Sequence, residues 1–353
     1  MENQEKYIRR CIELAKNGLE TTYPNPMVGS VIVYEDKIIG EGWHKKSGEA
    51  HAEVIAINSV KDKFLLREST IYVSLEPCSH FGKTPPCCDL IIKNEIPNVV
   101  IGTLDSNVKV AGNGIKKLIE AGANVSVGVL EAECKELNKR FFTFYEKKRP
   151  YVILKWAESQ DGFIAPIHRQ AQDDIKNRKP FWITNEFSRQ LVHKWRTEEQ
   201  AILVGTNTVI VDNPKLDVRD WTGNNPIRIV LDKNNRIQKD SHIFDNQVKT
   251  IIFSNLANTN NGENTTFEVI DFEQNLAQQI LKVLYKYNIQ SVIIEGGRQT
   301  LQTFIDENLW DEARLFIGNI AFENGTKGPI IALRKMEKHS IGNDELLISR
   351  NYD

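Results

Sequence analysis

No run of the 353-residue chain approaches the ~20 consecutive apolar residues that a membrane-spanning helix requires. The opening MENQEKYIRR holds no apolar stretch of the kind that drives secretion. Cysteine is scarce and odd in number: there are five, three of them between positions 78 and 88. That distribution suits a metal site with a few buried thiols and argues against a disulfide framework. The net charge is only −2, so no general attraction to a phosphate backbone is expected. Internal repeats, low-complexity tracts and a GxGxxG fingerprint are all missing, and the GNG at 112–114 lacks the rest of that motif. Together these absences predict a protein of the reducing cytoplasm with neither a membrane nor a nucleic acid as partner. The composition that remains is ordinary for a soluble protein, 41% hydrophobic and 26% charged, over a length that suggests two domains.

The chemistry concentrates between His51 and Cys88. HAEVIAINSV is followed by the strand-like STIYVSL and then by EPCSHFGKTPPCCDLII. Zinc favours thiolate and imidazole ligands, and a catalytic zinc keeps three protein ligands and one open position. His51, Cys78 and Cys87 can supply the three. Glu53, two residues after the histidine, is placed to move protons at the fourth. This HxE…PC…C pattern is the sequence form of a zinc-activated hydrolytic deaminase. His51 and Glu53 fall at the start of one expected helix and Cys87 at the start of the next, where free N–H groups favour thiolates. A structural zinc would need a fourth ligand, for which His80 and Cys88 are available. Cys88, which immediately follows Cys87 at the start of its helix, is expected to pack inward instead.

Along the first half, residues 3–19 carry apolar side chains at helical spacing, with Cys11 among the core positions. Strands are expected at Val28–Tyr34 and Lys37–Trp43, joined as a hairpin through Glu35 and Asp36. A helix at His51–Val60, a strand at Thr70–Leu75, a helix at Pro86–Asn94 and a strand at Val99–Leu104 follow. Next come a helix at Gly114–Ala121, a strand at Asn124–Val129 and one helix from Glu131 to about Tyr145. The charged EKKRP at 146–150 reads as a linker between domains at 1–147 and 150–353. In the second half, strands are expected at Tyr151–Ala157, Ala201–Gly205, Ile227–Asp232, Thr250–Ser254, Ser291–Glu295 and Ala313–Gly318. Helices are expected at Asn185–Thr197, Gln274–Tyr287 and Gln299–Glu307. Residues 167–179 read as a flexible loop and 256–265 as a surface turn. Alternating helices and strands in both halves indicate layered α/β domains. In VGTNT, Gly205 and Thr206 follow a strand and could admit a cofactor to the backbone. EGG at 295–297 stands between a strand and a helix, a natural diphosphate seat.

The nine-residue step from Cys78 to Cys87 is longer than the PCxxC of cytidine and tRNA-adenosine deaminases. PCSHFGKTPPCC, with NPMVG at 25–29, GWH at 42–44, HAE at 51–53 and TLDSN at 103–107, resembles the bifunctional riboflavin-biosynthesis deaminase/reductase family. LKWAESQDGFIA at 154–165, the WIT…LDVR stretch at 182–219 and IIEGGRQTLQTFI at 293–305 resemble its reductase half. The resemblance implies a cytidine-deaminase-like α/β/α layer domain followed by a dihydrofolate-reductase-like α/β domain. It implies Zn2+ and NADPH as cofactors, a small pyrimidine ribose phosphate as substrate, and a homo-oligomer. By similarity, Asn25, His44, His80, Lys83, Asp105 and Asn107 line the deaminase pocket. Ala157, Trp182, Gly205, Thr208, Asp212 and Gly297 fall near NADPH. Arg196, Leu216, Arg219 and Glu295 fall near the reductase substrate, with Lys155 as candidate proton donor and Asp161 as a further pocket residue. Past residue 320 nothing is carried over.

Two other readings compete. A nucleic-acid-editing deaminase would show PCxxC spacing and a basic, aromatic-rich face, and the sequence has neither. A non-catalytic zinc protein would leave Glu53 without a task.

Overall fold

The computed structural model describes residues 2–79, 85–106, 112–166, 181–256 and 262–351. They divide into two units, Met1–Lys148 and Arg149–Asp353. The expected flexible loop at 167–179 lies outside the described residues.

The first unit runs α1 (Glu2–Ala15), β1 (Gly29–Tyr34), β2 (Lys37–Trp43), α2 (Ala52–Ser59), β3 (Thr70–Leu75), α3 (Cys87–Lys93), β4 (Asn98–Thr103), α4 (Asn113–Glu120), β5 (Asn124–Val127), α5 (Glu131–Leu137) and α6 (Lys139–Lys147). Its sheet has the order β2-β1-β3-β4-β5. The β1 pairings are antiparallel, and β3, β4 and β5 run parallel. Strand periodicity sends successive side chains to opposite faces. Val31, Val33, Tyr72 and Val100 therefore meet Tyr7, Ile8, Cys11 and Ile12 of α1, with Cys134 and Leu137 of α5. Ile32, Ile71, Val73, Val99 and Ile101 meet Ala56 and Ile57 of α2, Cys88 and Ile91 of α3, and Leu118 of α4. This is an α/β/α layer, and each such buried aliphatic side chain stabilises it by about 1.5–3 kcal/mol. Cys11 is core, its thiol donating to the Tyr72 carbonyl at 3.4 Å.

One expected element is wrong in form. The single helix from Glu131 breaks at Asn138, where φ is −106°. The buried Asn138 amide accepts from the Met27 N–H and donates to the Met27 carbonyl, both at 2.8 Å. It thus pairs with the chain ahead of β1 as a neighbouring strand would, and the break turns α6 away.

The second unit runs β6 (Tyr151–Ser159), β7 (Phe163–Pro166), α7 (Glu186–Glu198), β8 (Ala201–Gly205), α8 (Thr206–Asp212), β9 (Ile227–Leu231), β10 (Thr250–Ser254), β11 (Thr265–Val269), α9 (Leu276–Lys286), β12 (Ser291–Ile294), α10 (Arg298–Asp306), β13 (Glu312–Gly318), β14 (Gly325–Lys327), β15 (Glu337–Ile341) and β16 (Asp344–Arg350). A nine-stranded sheet takes the order β11-β10-β9-β8-β12-β6-β13-β16-β15. It is parallel from β11 to β13, and β16 and β15 close it antiparallel. One face packs on α9 and α10, and the other on α7 and α8. The sequence reading did not find β7, α8, β11 or the strands after 320. Among the described residues no helix is long and apolar enough to cross a membrane.

Candidate active sites

In the first unit, β2 carries α2 at close range. A Cβ on Gly42 would come within 2.6 Å of the α2 backbone at Ala52 and Ala56, so only glycine allows this approach. The approach sets His51, at the N-terminal cap of α2, beside His44 at the end of β2, with ring centroids 5.4 Å apart and planes at 78°. The buried His44 Nδ1 lies 3.1 Å from the Ala50 carbonyl and so carries the proton. Its Nε2 then accepts from the Asn25 amide at 3.1 Å. Burial lowers the His44 pKa, which keeps that acceptor free.

Cys78 follows β3 and Cys87 opens α3. The ligand atoms of His51, Cys78 and Cys87 all lie within 4.8 Å of one another. His51 Nδ1 is 3.3 Å from Cys87 Sγ and 3.6 Å from Cys78 Sγ. The Cys87 N–H, at the helix start, donates to Cys78 Sγ at 3.3 Å. Two thiols this close ionise together only around a cation. Cys87 and His51 pull the Cys78 thiol down to about 4, while the Cys78 thiolate and burial push Cys87 up. The donor set of one imidazole and two thiols fits zinc. Cys88 is no fourth ligand, since its buried thiol donates to the Pro77 carbonyl at 3.2 Å. Glu53, in the first turn of α2, is buried, and burial followed by the Cys78 charge raises its pKa.

Asp105 is buried, and its N–H donates to Glu76 Oε2 at 3.4 Å. Glu76, which sequence reasoning missed, also accepts from the N–H groups of Gly112 at 3.0 Å and Gly114 at 3.1 Å. It holds the chain after β4 and the start of α4 to the turn that bears Cys78. Its one sequence signal is adjacency to the PC pair. His80, Lys83 and Asn107 lie outside the described residues.

The second unit has a cleft of about 1060 Å³ at the carboxyl ends of β6, β8, β9 and β12, where open α/β sheets commonly take ligands. Lys155, Ala157, Trp182, Arg196, Gly205, Thr208, Asp212, Arg219, Glu295 and Gly297 all line it. Arg196 grips Glu295 with two bonds, Nε to Oε1 at 3.1 Å and Nη2 to Oε2 at 2.8 Å, and Lys155 Nζ stands 3.9 Å from Oε2. Burial opposes ionisation of Glu295, but Arg196 and Lys155 outweigh it and pull the carboxyl down to about 2. Burial lowers the Lys155 pKa in spite of Glu295, and Arg196 adds to the effect.

Three expectations need revision. Asp161 is not among the residues lining the cleft; its carboxylate staples a turn, accepting from the Ser159 hydroxyl and the N–H groups of Phe322 and Glu323. The Leu216 side chain packs in the core under α7. Gly205 does line the cleft, but its missing Cβ makes room for Thr300 Oγ1 of α10, which would lie only 2.6 Å away. At Gly297, with φ +48°, an added Cβ would meet only Thr208 Oγ1 among the described residues, at 3.4 Å, and the bare glycine keeps the N-terminus of α10 open to the cleft. Sequence reading also missed Arg189, whose guanidinium lies over the half-exposed Trp182 ring at 4.9 Å. It missed His193 as well, although the i,i+3 spacing to Arg196 puts both on one face of α7.

Residues 150–334 match the family described as the RibD C-terminal domain. Residues 1–103 match the cytidine and deoxycytidylate deaminase zinc-binding region. The riboflavin biosynthesis protein RibD of Aquifex aeolicus is 36% identical over 364 residues, covering 99% of each chain. That of Escherichia coli is 34% identical over 351 residues, covering 95% of this chain and 92% of its own. The solved Thermotoga maritima diaminohydroxyphosphoribosylaminopyrimidine deaminase/5-amino-6-(5-phosphoribosylamino)uracil reductase superposes with a TM-score of 0.87, at 37% identity and 99% coverage of both chains. Acinetobacter baumannii RibD gives 0.87 at 31% identity, covering 100% of this chain and 99% of that one.

Proposed function

The chain belongs to the RibD family of riboflavin biosynthesis, and from that membership we propose how its residues divide two consecutive reactions. It is a pyrimidine deaminase and an NADPH-dependent reductase, with Zn2+ and NADPH as cofactors. In our reading, residues 1–147 deaminate and residues 150–353 reduce. The first reaction consumes water and releases the 2-amino group of 2,5-diamino-6-(5-phosphoribosylamino)pyrimidin-4(3H)-one as ammonia, giving 5-amino-6-(5-phosphoribosylamino)uracil. The second converts the ribosyl group of that product to ribityl.

His51, Cys78 and Cys87 would hold the zinc, which supplies a water acidified towards a pKa of ~7. Glu53 takes a proton from the attacking water at its carboxylate and gives it to the ring, then carries a second, from the hydroxyl so formed on C2, to the departing amine. Its raised pKa suits a group that must accept and return each proton in turn. Asn25, oriented by His44, offers its amide to the ring edge. Asp105, held by Glu76, offers acceptors, and His80, Lys83 and Asn107 belong to the same proposed pocket.

In the second unit NADPH supplies the hydride. Ala157, Trp182, Gly205, Thr208, Asp212 and Gly297 would border the cofactor, and the Leu216 backbone the substrate. Lys155 is the proposed donor to the sugar ring oxygen, because burial makes its proton easier to release. Glu295 fixes both Lys155 and Arg196, while Arg219 meets the sugar phosphate with its planar fork.

The observation that carries this reading is the convergence of His51, Cys78 and Cys87 in one unit with a buried Glu53 in the same helical turn. The test offers the zinc-loaded chain the diaminopyrimidine with and without NADPH. Ammonia should appear without NADPH, and NADPH should be oxidised only after deamination. Ammonia released from RNA or DNA in its place overturns the reading. A homo-oligomer working in the cytoplasm on small molecules alone, apart from membranes and nucleic acids, completes the proposal, and light scattering on the purified chain measures its size.

A further inference from the structure

We infer that His193 is a positioning residue of the reductase cleft, clasping the turn that carries Arg219 so that this arginine meets the sugar phosphate. The inference rests on the reading of Arg219 as a phosphate ligand. His193 sits on α7, buried to 3% exposure, one turn before Arg196, and both line the cleft. Together they grip the 217–220 turn at three points. Arg196 Nη1 donates to the Asp217 carbonyl at 3.0 Å. His193 Nδ1 accepts from the Arg219 N–H at 3.5 Å, which leaves the ring proton on Nε2, and Nε2 stands 3.2 Å from Asp220 Oδ2. Only a neutral imidazole accepts at one nitrogen while donating at the other. Burial, then Arg196 and Arg219, push the His193 pKa down to about 4, which secures that form at neutral pH.

The Arg219 side chain has no rigid support of its own. It is 43% exposed and touches only carboxylates of its own turn, Asp217 at 3.1 Å and Asp220 at 3.9 Å, among the described ion pairs. Leu216, at φ +53° with its side chain in the core, anchors the entry to the turn, and His193 anchors the backbone at Arg219 itself. A guanidinium that must meet a phosphate in a fixed fork gains more from a held backbone than from further charge.

The test compares His193→Leu, His193→Gln and Asp220→Ala with the wild-type full chain, loaded with zinc. Glutamine can both accept from Arg219 and donate to Asp220, whereas leucine does neither. His193→Leu should raise KM for 5-amino-6-(5-phosphoribosylamino)uracil about tenfold, with kcat, KM for NADPH and ammonia release each within about twofold. His193→Gln should recover most of that loss. Asp220→Ala, at a half-exposed position that folding tolerates, should raise the same KM by about threefold. With the dephosphorylated substrate, all four proteins should share one KM. An unchanged KM in both His193→Leu and Asp220→Ala, or a loss that persists without the phosphate, overturns the inference. A wild-type chain that fails to oxidise NADPH with this substrate overturns the functional reading instead.

Discussion

Glu53 is buried near the Cys78 sulfur, and burial and that charge together raise its pKa. Glu295 is enclosed too, its side chain 9% exposed, yet Arg196 and Lys155 override the burial and bring it to about 2. The first carboxyl holds its proton more tightly than a free one, and the second stays ionised at neutral pH and holds two cations. Glu53→Gln should therefore lower ammonia release by about 100- to 10,000-fold and leave NADPH oxidation intact, as separate assays on one preparation will read. Lys155→Met should lower the reduction rate at saturating substrate and spare deamination; an unchanged rate removes Lys155 as donor. The depressed pKa of Glu295 has a definite sign in stability. The folded carboxyl holds its proton less tightly than the unfolded one, so its contribution is complete above the ordinary 4.5 and is lost as pH falls towards about 2. That window is worth about 3 kcal/mol. Denaturant midpoints measured between pH 5 and pH 2 should fall for the wild type and flatten for Glu295→Gln. The variant itself is less stable at neutral pH, because it leaves Arg196 and Lys155 buried without their counter-charge.

At the level of elements, strands and helices with strong periodicity were legible and those defined by distant partners were not. The alternation of Val31, Ile32 and Val33, or of Val99, Val100 and Ile101, announces two-faced strands because each side must be covered. The break between α5 and α6 is silent in the sequence, since the Asn138 amide answers Met27, 111 positions earlier. Asn138→Ala should leave a buried N–H and a buried carbonyl of Met27 unpaired and cost about 2–4 kcal/mol, read as a lower urea midpoint for the first unit. β15 hides for another reason: EKHSI is exposed almost throughout and offers no apolar alternation, and it exists as a strand only through β16. The candidate metal triad was readable because few residue types ligate zinc and because His51, Cys78 and Cys87 stand within one HxE…PC…C pattern. Glu76 and His193 were not, because they work on backbone N–H groups 26 to 38 positions away.

For the whole molecule, the proposed division puts the two chemistries in separate units with separate cores, so they should be separable by treatment. Removing zinc with a chelator should abolish ammonia release and leave NADPH oxidation on the deaminated compound near its full rate, with zinc content measured alongside. Re-addition of Zn2+ should restore the first activity. Joint loss of both would contradict the assignment of the metal to the first unit alone.

Trp182 stands half-exposed at the cleft with the Arg189 guanidinium over its ring. The emission of an indole overlaps the absorption of a reduced nicotinamide, so this side chain can pass its excitation to a dinucleotide seated beside it. The cleft thereby contains its own optical reporter. Quenching of tryptophan fluorescence that is lost in Trp182→Phe would follow cofactor entry in real time, without a label and without turnover.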